Sequence, residues 1–196
     1  LNKNFKNTYG KLRISGSIAF LSGAITLGYL IDGLGSKTLP LLMILFFWFF
    51  LTSIYLLPIE KDKNYNNKKG SILEILNDKK FILILFCCGL IQGSHAMYYS
   101  FSSILWREND INFSQIGYLW GWGVLAEIIL FYIIDKVNIK GYFLKILTCA
   151  GIFSSFRWLL TYFFNEFYVL LFIQTLHAIS FGLSHYLMMY FIYFNI

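Results

Sequence analysis

QIGYLWGWGVLAEIILFYII, residues 115–134, is twenty residues long and carries one charge, Glu127. As a helix it rises about 30 Å, the thickness of a bilayer's hydrocarbon core. The stretch reads as a membrane-spanning helix. Working outward, five more apolar segments of similar length lie at 12–32, 38–57, 80–104, 143–164 and 167–192. The connections at 33–37 and 165–166 are short enough to make tight antiparallel hairpins. Asn112-Phe113-Ser114 precedes the fourth segment, and Ser114 is the expected helix cap.

Composition agrees. Of 196 residues, 58% are hydrophobic and 13% charged, and mean hydropathy is +0.62. Soluble domains run near a quarter charged, and no soluble core of this length could bury so much Phe, Ile, Leu and Tyr. The net charge of +6 does not point to nucleic acid, because the Lys residues cluster in loops between apolar segments. Cys87, Cys88 and Cys149 read as packing residues of apolar helices, with no disulfide or metal site inferred. No Walker loop, HExxH, GxSxG or CxxC occurs. A membrane-embedded hydrolase lacks a serine in any nucleophile motif, so an enzyme is not expected. The chain begins at Leu1 and ends at Ile196 inside an apolar run, and is expected to be a fragment of a longer protein.

Lys and Arg counts set the orientation. Lys3, Lys6, Lys11, Arg13, the lysines of the 58–80 connection and those of the 135–145 loop put thirteen basic residues on one side. Only Lys37 and Arg107 fall on the other. The richer side is expected to be cytoplasmic, which places both chain ends inside. Trp106, Tyr118, Trp120 and Tyr168 then fall near the outer boundary. Residues 71–79, with Ile72, Leu73, Ile75 and Leu76 beside Glu74 and Asp78, predict a short amphipathic helix on the cytoplasmic surface.

Three chargeable residues interrupt consecutive segments: Glu127, Arg157 and His177. A charge at the bilayer centre costs about 2.5–3.5 kcal/mol on insertion scales, so such groups face one another or a wet cavity. At 1.5 Å per residue, Glu127 lies about 18 Å and His177 about 15 Å below the outer ends of their helices. The Arg157 backbone lies about 10 Å down, and a side chain reaching about 6 Å brings it level with them. The three are predicted to converge. A plainer alternative is a buried Glu127–Arg157 ion pair joining two helices. Gln92, His95 and Tyr99 share one face of the third segment, however, and Gln174, His177, Phe181 and Ser184 share one face of the sixth. Two polar stripes turned inward predict a central cavity. His185 is expected near the cytoplasmic interface. Gly89-xxx-Gly93 and Gly117-xxx-Gly121 are expected to allow close helix approach.

YGKLRISGSIAF (9–20), LIQGSHAMYYSFSSILWRE (90–108), IGYLWGWGVLAEIILF (116–131), FRW (156–158) and QTLHAISFGLSH (174–185) resemble the major facilitator superfamily. Within it they resemble the phenylpropionate permease group of proton-coupled symporters. The resemblance implies an all-α polytopic membrane protein whose six transmembrane helices are helices five to ten of a twelve-helix fold. It divides the chain into 1–58, the last two helices of the N-terminal half; 59–79, the central cytoplasmic loop; and 80–196, the first four helices of the C-terminal half.

Related oligosaccharide–proton symporters carry a glutamate on helix eight, an arginine on helix nine and a histidine on helix ten. By resemblance Glu127, Arg157 and His177 are the proton-coupling set. The glutamate that accompanies the histidine on helix ten in the lactose permease type has no counterpart after His177, where Ser180, Phe181 and Gly182 stand. Gln92, His95, Tyr99, Gln174 and Arg157 are the expected solute-binding residues. Asp135 and Lys136 resemble part of a gating motif in the helix eight–nine loop. The implied function is proton symport of a small organic solute such as an aromatic carboxylate, across a bacterial inner membrane, by alternating access. A sugar or nucleoside is the alternative solute, and a non-transporting scaffold or truncated remnant the alternative of another class. No cofactor is implied beyond the proton gradient. The expected partners are the solute, protons and the lipid bilayer, without nucleic acid, and the full-length protein is expected to be a monomer.

Overall fold

The computed structural model describes residues 2–57, 76–134, 136–137 and 139–195. The described residues form helices and turns. Helix α1 (Asn2–Leu34) leads through a 3-10 turn (Ser36–Thr38) into α2 (Leu39–Tyr55). Then follow α3 (Lys79–Glu108), α4 (Phe113–Ile134) and α5 (Phe143–Phe163). The last span is composite: α6 (Phe167–Thr175), a π turn (Ala178–Leu183) and α7 (Ser184–Asn195). Among the described residues six helices are long and apolar enough to cross a membrane, as the six segments predicted.

Local chemistry explains the breaks. Gly35 takes φ 84°, a left-handed conformation open to glycine, and ends α1. Pro40 falls in the first turn of α2, where a missing N–H costs no helical bond. The sequence places Asp78 within an amphipathic helix over 71–79, of which 71–75 lie outside the described residues. It caps α3 instead, accepting from the N–H groups of Lys80 (2.9 Å) and Phe81 (3.1 Å).

The cap of α4 is Asn112 rather than Ser114. Its Oδ1 accepts from Gln115 N at 2.8 Å, while Gln115 Oε1 accepts from Asn112 N at 3.1 Å. This reciprocal pair is a capping box with Asn in the leading place. The α4 entrance also receives Asp32 from α1, whose two oxygens accept from Phe113 N (3.0 Å) and Ser114 N (2.7 Å). A carboxylate there satisfies free amides and meets the positive end of the helix dipole.

Below that contact α1 and α4 touch backbone to backbone. A Cβ on Gly28 would lie 2.5 Å from the Phe113 carbonyl oxygen, and one on Gly117 would lie 2.6 Å from that of Ala24. Gly121 faces the Ile25 side chain, so Gly117-xxx-Gly121 does bring two helices together. Around Gly89 and Gly93 the space is open, and no close approach occurs there. The Tyr29 and Tyr118 hydroxyls are hydrogen-bonded across the same seam.

Helices α3 to α7 enclose two apolar cores. One, toward the predicted cytoplasmic face, gathers Ile84, Cys88, Phe131, Leu147 and Leu187. The other, toward the predicted outer face, gathers Trp106, Ile116, Leu119, Leu170 and Ile173. Between them lie the buried polar residues. Helix α2 buries none of its side chains, and Phe47 and Trp48 are each 64% exposed. An uncharged, largely apolar exposed helix suits hydrocarbon as its solvent.

Candidate functional site

Arg157 on α5 is fully buried between the two cores. Its guanidinium lies over the rings of Tyr98 and Trp158, 4.8 Å from each centroid, a stacked cation–π arrangement. Nη2 donates to Gln174 Oε1 at 2.9 Å. Nη1 shares its hydrogens among His95 Nε2 (3.0 Å), His177 Nδ1 (3.1 Å) and Ser180 Oγ (3.2 Å).

These contacts fix both imidazoles, because arginine can only donate. His177 must accept at Nδ1, so its proton sits on Nε2, which reaches Glu127 Oε1 at 2.9 Å. His95 also accepts at Nε2, and its Nδ1 donates to the Ile91 carbonyl at 2.9 Å. The two buried histidines are neutral and of opposite tautomer. The chain of contacts runs from Arg157 through His177 to Glu127. The predicted convergence of these three residues is present, with the imidazole inserted where a direct ion pair was the plainer alternative.

This order has a chemical consequence. An imidazolium at position 177 would aim a second N–H at the arginine that now donates to it. Taking up a proton on the ring therefore requires His177 to leave Arg157. A proton taken up on Glu127 requires no such move, since the carboxyl stays an acceptor for Nε2.

Glu127, Gln174 and His177 also border a cavity of about 830 Å³ between α1, α3, α4 and the last span. Tyr99, Trp120 and Phe181 give that cavity an aromatic wall. Of the predicted solute-binding residues, Tyr99 and Gln174 line it. Arg157 and His95 sit behind the wall, both fully buried. Gln92 Nε2 donates to Ser184 Oγ at 2.8 Å and to the Phe181 carbonyl at 3.2 Å. The His185 ring is parallel to Phe181, 6.2 Å away. Lys136 Nζ lies over the Tyr132 ring at 4.3 Å, and Asp135 lies outside the described residues.

Ser180, Tyr98 and Trp158 are partners of Arg157 that the sequence does not single out. Ser180 had a signal, because it continues the i, i+3 series Gln174, His177 down the same face. The aromatic residues had none, since tyrosine and tryptophan are common throughout the chain. Arg157 Nε and Gln174 Nε2 are buried without a protein partner among the described residues.

A stack of helices with a charged centre and an aromatic cavity can be compared with known proteins. Residues 1–194 match the model of the MFS_1 like family. The chain belongs to that family, as the resemblance to the major facilitator superfamily predicted, and is a multi-pass membrane protein. It is 29% identical over 189 residues to the "Probable 3-phenylpropionic acid transporter" of Escherichia coli (strain K12). That match takes in 93% of this chain and 49% of the relative, so the chain spans about half the relative's length. No solved structure matches the chain.

Proposed function

We propose that this chain forms the proton-handling part of a secondary active transporter, which moves a small organic solute together with protons by alternating access. The carrying observation is the Arg157–His177–Glu127 series, buried at mid-bundle and ending on the cavity wall. A fixed positive charge, a neutral imidazole and a carboxyl group form a unit whose net charge changes when Glu127 gains or loses a proton. The reading makes Glu127 the proton acceptor, Arg157 its counter-charge and His177 the coupling partner.

An aromatic carboxylate is the favoured solute. The name of the relative supports it, and so does the aromatic wall of the cavity. A solute carboxylate would meet Glu127 there, and like charges in low dielectric repel strongly. Protonated Glu127 admits the anion, so solute and proton enter together. Tyr99 and Gln174 would contact the solute directly; Arg157 and His95 would act on it through Gln174 and His177. Residues 1–58 and 80–196 belong, in this reading, to the two halves of the carrier, with 59–79 as the cytoplasmic loop. The location is a bacterial inner membrane with both chain ends inside.

The test is uptake of radiolabelled 3-phenylpropionate by cells expressing the complete reading frame. Accumulation that collapses on adding a protonophore is expected. Accumulation indifferent to the protonophore overturns proton coupling.

A further inference from the structure

The widest departure from regular helix in the last span lies directly after His177. Leu176 N donates to Ile173 O and Ile179 N to Leu176 O, tight bonds three residues back, and the backbone then opens into the π turn Ala178–Leu183. Such turns are rare in helices and recur at functional sites, because they are costly unless neighbours hold them. Two neighbours hold this one. On the α4 side Gly182 leaves room for Glu127, since a Cβ there would lie 3.1 Å from Glu127 Cγ. On the α3 side Gln92 donates to the Phe181 carbonyl and to Ser184 Oγ. Ser184 Oγ in turn contacts the carbonyls of Ser180 (2.9 Å) and Phe181 (3.0 Å).

We propose that Gln92 is a positioning residue, which clamps the π turn and thereby keeps His177 between Arg157 and Glu127. The argument is geometric. Gln174, His177 and Ser180 all reach Arg157 from one face of the span. The turn that begins after His177 sets how that face meets Arg157 while Gly182 packs on Glu127. Gln92 is the side chain from another helix that bonds the carbonyl within the turn. Without it the Phe181 carbonyl and the Ser184 hydroxyl lose a partner in low dielectric, and the span gains by tightening toward an α-helix. Tightening rotates His177 relative to the residues below it. Gln92 thus serves the coupling set through the backbone rather than by touching a solute. The inference rests on the proton-coupling reading for its consequence in transport, but not for its structural content.

Two measurements separate these. In ¹⁵N-histidine NMR of the complete protein in detergent, the signals lost in His95→Asn and His177→Asn variants assign the two buried rings. The native protein should show His177 with its proton on Nε2 and His95 with its proton on Nδ1. In Gln92→Leu the His177 signals should broaden or shift toward mixed tautomers, while those of His95 hold. The pH profile of 3-phenylpropionate uptake should shift with them, and its maximal rate should fall about tenfold or more, the usual cost of losing a group that orients a functional one. Ser184→Ala, which leaves the bond from Gln92 to the Phe181 carbonyl in place, should do the same more weakly and carries the test if Gln92→Leu does not fold. An unchanged His177 tautomer in these variants overturns the proposal. Absence of proton-driven uptake in the native protein would overturn the transport reading instead, and the NMR comparison would still decide the role of Gln92.

Discussion

The α1–α4 seam and the Arg157 cluster are both places where helices meet closely, and they are built on opposite terms. At the seam the contact is backbone on backbone, with Gly28 and Gly117 leaving no room for a methyl group. Two hydrogen bonds donated to Asp32 and one tyrosine pair cross it. In the cluster the contact is side chain on side chain, with Arg157 bonded to His95, His177, Ser180 and Gln174. The seam is sensitive first to volume, with the Asp32 carboxylate at its outer end. The cluster is sensitive to charge and protonation. By resemblance α1 belongs to one half of the fold and α4 to the other, so the seam would lie where the halves meet.

The largest effect should come from breaking the cluster. Arg157→Met leaves the Glu127 carboxylate without its counter-charge and removes the donor shared by two histidines. Removing one partner of a buried charged network costs about 3–5 kcal/mol. A drop in melting temperature of the detergent-solubilised protein checks it, and an unchanged melt would contradict the weight given to the cluster.

Next in size is the seam. Gly117→Val drives two methyl groups into the Ala24 carbonyl and should cost about 1–3 kcal/mol, as overpacking does. Its melting temperature should fall, while the NMR signature of the two buried histidines persists. If the histidine signals change as well, the two regions are mechanically coupled and the contrast between them is too sharp.

Asp32→Ala should have the smallest effect, about 0.5–1 kcal/mol, the low end for a lost helix cap at an exposed site. Asn112 still caps α4 from within its own segment. A thiol-labelling rate at a cysteine introduced for Val124, on the cavity wall, checks its second consequence. If Asp32 helps hold the seam closed, labelling by a membrane-impermeant reagent from outside should rise.

Much of this contrast was legible in the sequence, for identifiable reasons. Apolar runs of about twenty residues have one stable solution in hydrocarbon, so the spans could be read directly. The matching depth of Glu127, Arg157 and His177 followed from helix rise together with the reach of the arginine side chain. Which helix each residue meets is another matter. Gly117 announces a close contact, yet nothing local names Ala24 of α1 as its partner. Gln92 sits on the face predicted for it, but periodicity cannot say whether that face meets a solute or a carbonyl. The π turn had no periodic signal, since it arises from what neighbouring helices offer rather than from its own residues. The cap at Asn112 was available in the spacing Asn112 to Gln115, a pattern eclipsed by the adjacent Ser114.

The most direct test of the central claim is proton-driven accumulation of 3-phenylpropionate by Glu127→Gln in the complete protein, measured beside solute exchange without a gradient. The substituted amide keeps an acceptor for His177 Nε2 but cannot take up a proton. The account predicts that accumulation is lost while exchange persists. Accumulation at the native level, with the native pH dependence, would contradict it.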